Sequence, residues 1–133
     1  MRNTGKVHSA VSLNERLRML KYKQGQFFHS HHDAVFVRGQ DEGERAGEMS
    51  SVSVHVYLNQ KFKGGFTTFQ GKGRHLDVKP KTGSILLFEH NILHEGQKVT
   101  HGKKYVVRTD IMYSTANVGF TSAASGTTLT QQL

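Results

Sequence analysis

Nine histidines and no cysteine restrict any metal chemistry in this 133-residue chain to imidazole and carboxylate donors. The densest group of such donors is His29-Ser30-His31-His32-Asp33. Residues two apart on an extended chain project to one face, so His29, His31 and Asp33 share a side and His32 turns away as a bystander. A His-x-Asp pair joined by one distant histidine is the donor set of a facial triad, which leaves positions open on a non-haem iron(II) for a second ligand and dioxygen. The distant donor must be sought among His55, His75, His90, His94 and His101. His94 is best placed, because it follows the apolar run Ile85-Leu86-Leu87-Phe88 and precedes Glu95-Gly96 at what reads as the mouth of a strand pair; His90 is its rival. A His-x-Asp pair by itself is more often an ordinary surface or core feature than a metal site, so its weight depends on the residues around it.

Those donors need a scaffold, and the pattern of the chain is strand and turn. Val52, Val54, Val56 and Leu58 alternate with Ser51, Ser53, His55 and Tyr57, the period of two of a half-buried strand. Further short strands are expected over 66–69, 76–78, 84–88 and 105–113, separated by Gly71-Lys72-Gly73, Pro80-Lys81-Thr82-Gly83 and His101-Gly102. Ser12-Leu13-Asn14-Glu15 has capping-box spacing, but Leu17, Met19, Leu20 and Tyr22 sustain no helical stripe, so at most one helical turn precedes the strands. Closely spaced strands with such punctuation form a sandwich or barrel of antiparallel strands.

The length accommodates one domain. Residues 1–12 are expected to fray, 13–114 to hold the domain, and the Ser, Thr, Gly and Gln-rich 115–133 to form a flexible tail, because neither end offers much apolar area to offset the entropy of ordering it. Without cysteine there is no disulfide framework, zinc finger or thiol nucleophile. No secretory signal or membrane-length apolar run is present, so a cytoplasmic location is the default expectation. A formal charge of +8 is compatible with an anionic substrate, with nucleic acid or with solubility alone. The basic residues are dispersed through Lys61, Lys63, Lys72, Arg74, Lys79, Lys81 and Lys98, so nucleic acid is not the expected partner.

Six blocks follow one another along the chain: Tyr22-x-x-Gly25-Gln26-x-Phe28-x-x-His31-x-Asp33, Val56-Tyr57-Leu58-Asn59, Gly64-Gly65-x-Thr67-x-Phe69, Pro80-x-x-Gly83-x-x-Leu86-x-Phe88, Leu93-His94-Glu95-Gly96 and Gly102-x-Lys104-Tyr105. Their order and spacing resemble the iron(II)/2-oxoglutarate dioxygenases of the prolyl 4-hydroxylase type over about Leu13 to Tyr113. The resemblance implies an all-β double-stranded β-helix, or jelly roll, with a minimal N-terminal helical or coil segment. It implies His31, Asp33 and His94 as iron ligands and Lys104 as the cation for the far carboxylate of 2-oxoglutarate, a charge that would be costly to bury unpaired. Strand alternation turns Lys103 the other way.

Tyr22 resembles the family tyrosine that touches the co-substrate and Thr67 its pocket-lining threonine, although core packing accounts for either equally well. Tyr57 is a weaker candidate whose facing depends on register. If Lys104 points inward, Val106, Arg108 and Asp110 follow it, and Arg108 with Asp110 forms either a buried ion pair or a substrate handle. The implied reaction hydroxylates a C–H bond of a prolyl or other peptide side chain, or of a small molecule. Dioxygen is consumed, succinate and carbon dioxide are co-products, and ascorbate is a supportive reductant. A non-catalytic jelly roll binding a metal, a ligand or nucleic acid is the alternative.

Two departures stand out. Phe66 replaces the usual polar or acidic residue of the Gly-Gly block, and the helices and leading strands that usually buttress the barrel are almost absent before Leu13. The chain is thus read as a fragment or a stripped-down version. Exposed apolar sheet, reduced stability, and a homodimer or a missing N-terminal segment as cover are expected. The polar stretch 35–50 reads either as a mobile loop that closes over substrate or as an ordinary connection.

Overall fold

A computed structural model of the chain describes residues 7–116. Its strands are β1 (Val7–Leu13), β2 (Arg18–Tyr22), β3 (Phe28–His31), β4 (Met49–Tyr57), β5 (Lys63–Gly64), β6 (Thr67–Gly71), β7 (Arg74–Val78), β8 (Ile85–Glu89), β9 (His94–Gly96), β10 (Val99–His101) and β11 (Lys104–Ala116). The main sheet runs β1-β11-β4-β8, and β2 shares one edge of β11 with β1. The second sheet runs β3-β9-β6-β7, while β5 and β10 form a separate two-stranded ladder. Every pairing is antiparallel. The two larger sheets face one another: Tyr57 Oη lies 2.7 Å from Thr67 Oγ1, and the Phe69 and Phe88 rings meet at 5.1 Å. The fold is an all-β jelly roll.

Strand β4 shows how the sequence is used. Its alternation holds from Val52 to Tyr57, with the Ser53, His55 and Tyr57 face turned inward and Ser53 0% and Tyr57 1% exposed, but a register shift between Ser50 and Val52 leaves Ser51 exposed and buries Ser50 instead. The valine face is in register with Ile85 and Leu87 of β8, which are 62% and 55% exposed. Polar side chains are tolerated inside because they find partners there: the Ser53 hydroxyl bonds Asp33, and Tyr57 bonds Thr67. The expected exposure of apolar sheet is therefore present on the outer face of the main sheet.

One expectation is corrected. The segment expected to fray through residue 12 is strand β1 from Val7, paired with Ile111 to Ala116, and β11 carries the described fold past the expected boundary at 114. A backbone ladder satisfies N–H and C=O groups whatever the side-chain polarity, so a weakly apolar segment can still join it. The rest of the expected frayed start and tail, residues 1–6 and 117–133, lies outside the described residues. No helical turn forms near Ser12, within the expectation of at most one; β1 ends at Leu13, and the Asn14 side chain accepts the Arg16 N–H at 3.0 Å. Within the stretch 35–50 one side chain is buried against carboxylates. Arg38, 3% exposed, pairs with Glu15 at 2.8 Å and Glu48 at 2.9 Å, and Arg45 also pairs with Glu15.

Candidate metal centre and its cavity

The two donors of the His-x-Asp pair reach the interior by different routes. Strand β3 delivers His31, opposite His94 of β9 in the register of the second sheet. Asp33 lies just beyond β3, where its N–H donates to the His90 carbonyl at 3.0 Å. A register shift between Phe28 and His31 breaks simple alternation, so His29 does not join the group although spacing placed it on the same face. His32 is exposed, as a bystander should be.

His31, Asp33 and His94 each offer a donor atom within 4.8 Å of the others. The Nε2 atoms of His31 and His94 stand 3.4 and 3.8 Å from the two Asp33 oxygens, close enough to share a cation and on the long side for hydrogen bonds. Each ring donates Nδ1–H to a backbone carbonyl, His31 to His29 at 2.6 Å and His94 to Ile92 at 2.9 Å. Those bonds fix the tautomer and leave both Nε2 lone pairs facing Asp33.

The electrostatics favour the same use. Burial pushes the Asp33 carboxyl up, but the Ser53 hydroxyl at 2.5 Å, the Arg108 guanidinium and the two imidazoles outweigh it and hold it below the usual range. Burial lowers His94 and keeps the ring neutral, the form that ligates. Two imidazoles with matched tautomers and one ionised carboxylate fit a divalent first-row metal.

Lys104 occupies the other end of the cavity. It is 4% exposed, donates to the Gly65 carbonyl at 2.7 Å, and lies 5.2 and 5.6 Å from the centres of the Tyr22 and Tyr57 rings. No carboxylate pairs with it among the described residues, and burial lowers it to about 8. Gly65 makes this approach possible: its φ is +68°, and a Cβ there would stand 3.2 Å from Lys104 Cδ and 3.0 Å from the Phe62 ring. The Tyr22 and Tyr57 rings flank the ammonium and Thr67 bonds the Tyr57 hydroxyl, so the register question left open for Tyr57 resolves inward. Burial raises both tyrosine hydroxyls and keeps them protonated donors.

A cavity of about 220 Å³ joins the two ends and is lined by His31, His94, Thr67, Tyr22, Lys104 and Arg108 among others. Arg108 faces inward as alternation required, but it pairs with Asp33 at 2.8 Å rather than with Asp110. Asp110 lies 3.4 Å from the buried ring of His90, and this rival third ligand stands outside the group of donors formed by His31, Asp33 and His94. His75 and His101 are exposed elsewhere. Sequence reasoning passed over Ser53 and gave His55 no role beyond candidate ligand. The signal for both was the polar face of β4, whose inward turn only the register reveals.

The 2OG-Fe(II) oxygenase superfamily model matches residues 17–109. No curated relative matches by sequence. Among solved structures, the chain is similar to a prolyl hydroxylase from Trichoplax adhaerens in complex with a hypoxia inducible factor oxygen degradation domain peptide, at 17% identity and a TM-score of 0.60 over 78% of this chain and 46% of that one. It is also similar to a 2OG-Fe(II) oxygenase family oxidoreductase from Burkholderia pseudomallei, at 19% identity and 0.59 over 86% and 48%. A viral collagen prolyl hydroxylase from Paramecium Bursaria Chlorella virus-1 matches at 22% and 0.57 over 77% and 61%. Such identities speak for the fold alone, and the chain spans between 46% and 61% of these three proteins.

Proposed function

The chain belongs to the 2OG-Fe(II) oxygenase superfamily, and from that premise we propose that it is an iron(II)- and 2-oxoglutarate-dependent dioxygenase of the prolyl 4-hydroxylase type. The family implies iron and 2-oxoglutarate, and with them dioxygen and a substrate. The observation that carries the reading for this chain is the buried Lys104 ammonium, which has no carboxylate partner among the described residues and shares a cavity with a His-Asp-His triad. A binding module that held only a metal would have no use for it.

In this reading His31, Asp33 and His94 hold iron(II), and Lys104 meets the far carboxylate of 2-oxoglutarate. Tyr22 and Thr67 contribute hydroxyls and Tyr57 an aromatic wall, so the co-substrate is oriented by one charge and a small set of polar contacts. Ser53 and Arg108 keep Asp33 ionised and fix its rotamer. Phe88, 6% exposed, and Phe69 pack around His94 and shield its imidazole from water, with Phe88 at 4.5 Å, while the half-exposed Phe28 packs at 4.1 Å on His31. When bound, the metal and 2-oxoglutarate supply the oxidising chemistry, with dioxygen consumed, succinate and carbon dioxide released, and a C–H bond hydroxylated.

A prolyl or other peptide side chain is the proposed target. Two of the three similar structures are prolyl hydroxylases, and one of these is in complex with a peptide. The deciding experiment measures succinate formed from 2-oxoglutarate under iron(II), ascorbate and air, with His94→Ala as control. Iron-dependent succinate from the parent chain and none from the variant is the expected result. Intact iron binding without succinate from either would replace the enzyme with a metal-binding module.

A further inference from the structure

The inner face of the main sheet carries polar groups that neither the triad nor Lys104 accounts for. Arg18, Arg108 and His55 form one transverse row: Arg18 is the partner of Arg108 across β2 and β11, and Arg108 is the partner of His55 across β11 and β4. All three line the cavity. Each retains unused hydrogen-bonding capacity. His55 Nε2 and Arg108 Nε are buried with no partner. Arg18 makes no side-chain hydrogen bond or ion pair among the described residues.

Buried polar atoms are normally satisfied, so two orphaned atoms in one row mark a place where an acceptor belongs. Like charges directly opposite on neighbouring strands repel, and Asp33 relieves that repulsion for Arg108 only. An anion between the two guanidinium groups would relieve it for Arg18 as well. Lys104 is four residues along β11, about 13 Å of strand, from Arg108, so the cation assigned to the co-substrate's far end does not serve this row.

We propose that Arg18, Arg108 and His55 anchor a carboxylate on the substrate, holding it beside the triad so that the C–H bond to be hydroxylated faces the metal. The proposal rests on the dioxygenase reading and names its substrate class. Guanidinium groups match a carboxylate with paired N–H donors, and the imidazole adds one more hydrogen bond. Asp33 already pairs with Arg108, so Arg18, exposed at the rim, is the guanidinium of the row without a carboxylate partner among the described residues. Glu95 is the acidic group on the cavity wall, and Ser30 Oγ bonds it at 3.2 Å. Among the described residues neither arginine of the row pairs with it.

The test uses zinc(II) in place of iron so that nothing turns over. The chain loaded with zinc(II) and 2-oxoglutarate is offered two degenerate tripeptide libraries with uncharged side chains, one ending in a free carboxylate and the other in a carboxamide. Retention is read by ultrafiltration and mass spectrometry. The carboxylate library is expected to be retained at least tenfold over the amide, and Arg18→Gln, at the rim of the cavity, to bring the ratio close to one. Equal retention, or none, by the parent chain overturns the proposal. So does an Arg18→Gln variant whose 2-oxoglutarate affinity, measured by calorimetry on the same samples, falls as far as its peptide affinity, because the row would then belong to the co-substrate. A parent chain that selects carboxylates but fails to bind 2-oxoglutarate would leave the anion row standing and remove the dioxygenase reading.

Discussion

The two faces of the main sheet invert the usual arrangement. On the inner face Ser53, Lys104 and Asp110 are no more than 8% exposed, whereas on the outer face Ile85, Leu87 and Met19 are at least 55% exposed. Burial in this fold therefore does not follow hydropathy alone, and the long antiparallel ladder around β11 and the aromatic residues between the sheets join its parts.

Each prediction tests that contrast, beginning with the largest effect. His94→Ala removes a donor that no other residue can replace, so iron(II) binding and the anaerobic visible band of the iron(II)–2-oxoglutarate complex should both disappear. Retention of that band would break the assignment of the inner face. Lys104→Met should weaken 2-oxoglutarate binding by about 100-fold, as expected for loss of one member of a buried charge pair. The same change should raise the melting temperature of the unliganded protein, because a buried ammonium without a carboxylate is exchanged for an apolar chain of similar shape. A fall in melting temperature would show that the Gly65 contact matters more than the buried charge.

The pH dependence follows from the same ammonium. Its value is about 8 in the folded chain against an ordinary 10.5, so between those limits the unfolded chain holds a proton that the folded chain has released. Stability of the unliganded protein should consequently rise from pH 8 to 10.5, opposite to a lysine stabilised by an ion pair. Binding of 2-oxoglutarate needs the charged form, and affinity should fall about tenfold per pH unit above about 8. Calorimetry across that range, with Lys104→Met as a flat control, checks both the sign and the window. The smallest effect belongs to the outer face: Leu87→Thr should change unfolding free energy by no more than about 0.5 kcal/mol in urea titrations, the range of an exposed substitution. A loss of several times that would show that something covers this face in solution.

Much of the site was legible before any coordinates. His31, Asp33, His94 and Lys104 stand in blocks whose order carries a family resemblance, and the triad and the buried ammonium are found in one cavity. The longer strands were legible too, because the period of two over 51–58 and the glycine-bearing turns are local properties. The two- and three-residue strands β5, β9 and β10 were not, since pairing with a neighbour holds them and no pattern of their own marks them. Strand β1 escaped for the same reason: its ladder partner is about a hundred residues away.

What the sequence settled by itself was donor chemistry and alternation: which residues can ligate, which cannot, and which neighbours share a face. Only the tertiary structure decided which face is inside. A period of two is indifferent to direction, so nothing local distinguishes the serine face of β4 from its valine face. The register with β11 and β8 makes that choice, and with it sends Arg108 to Asp33, Asp110 to His90, and Arg18 into line with His55. These contacts join residues tens of positions apart, and their energies exist only after the sheets have closed.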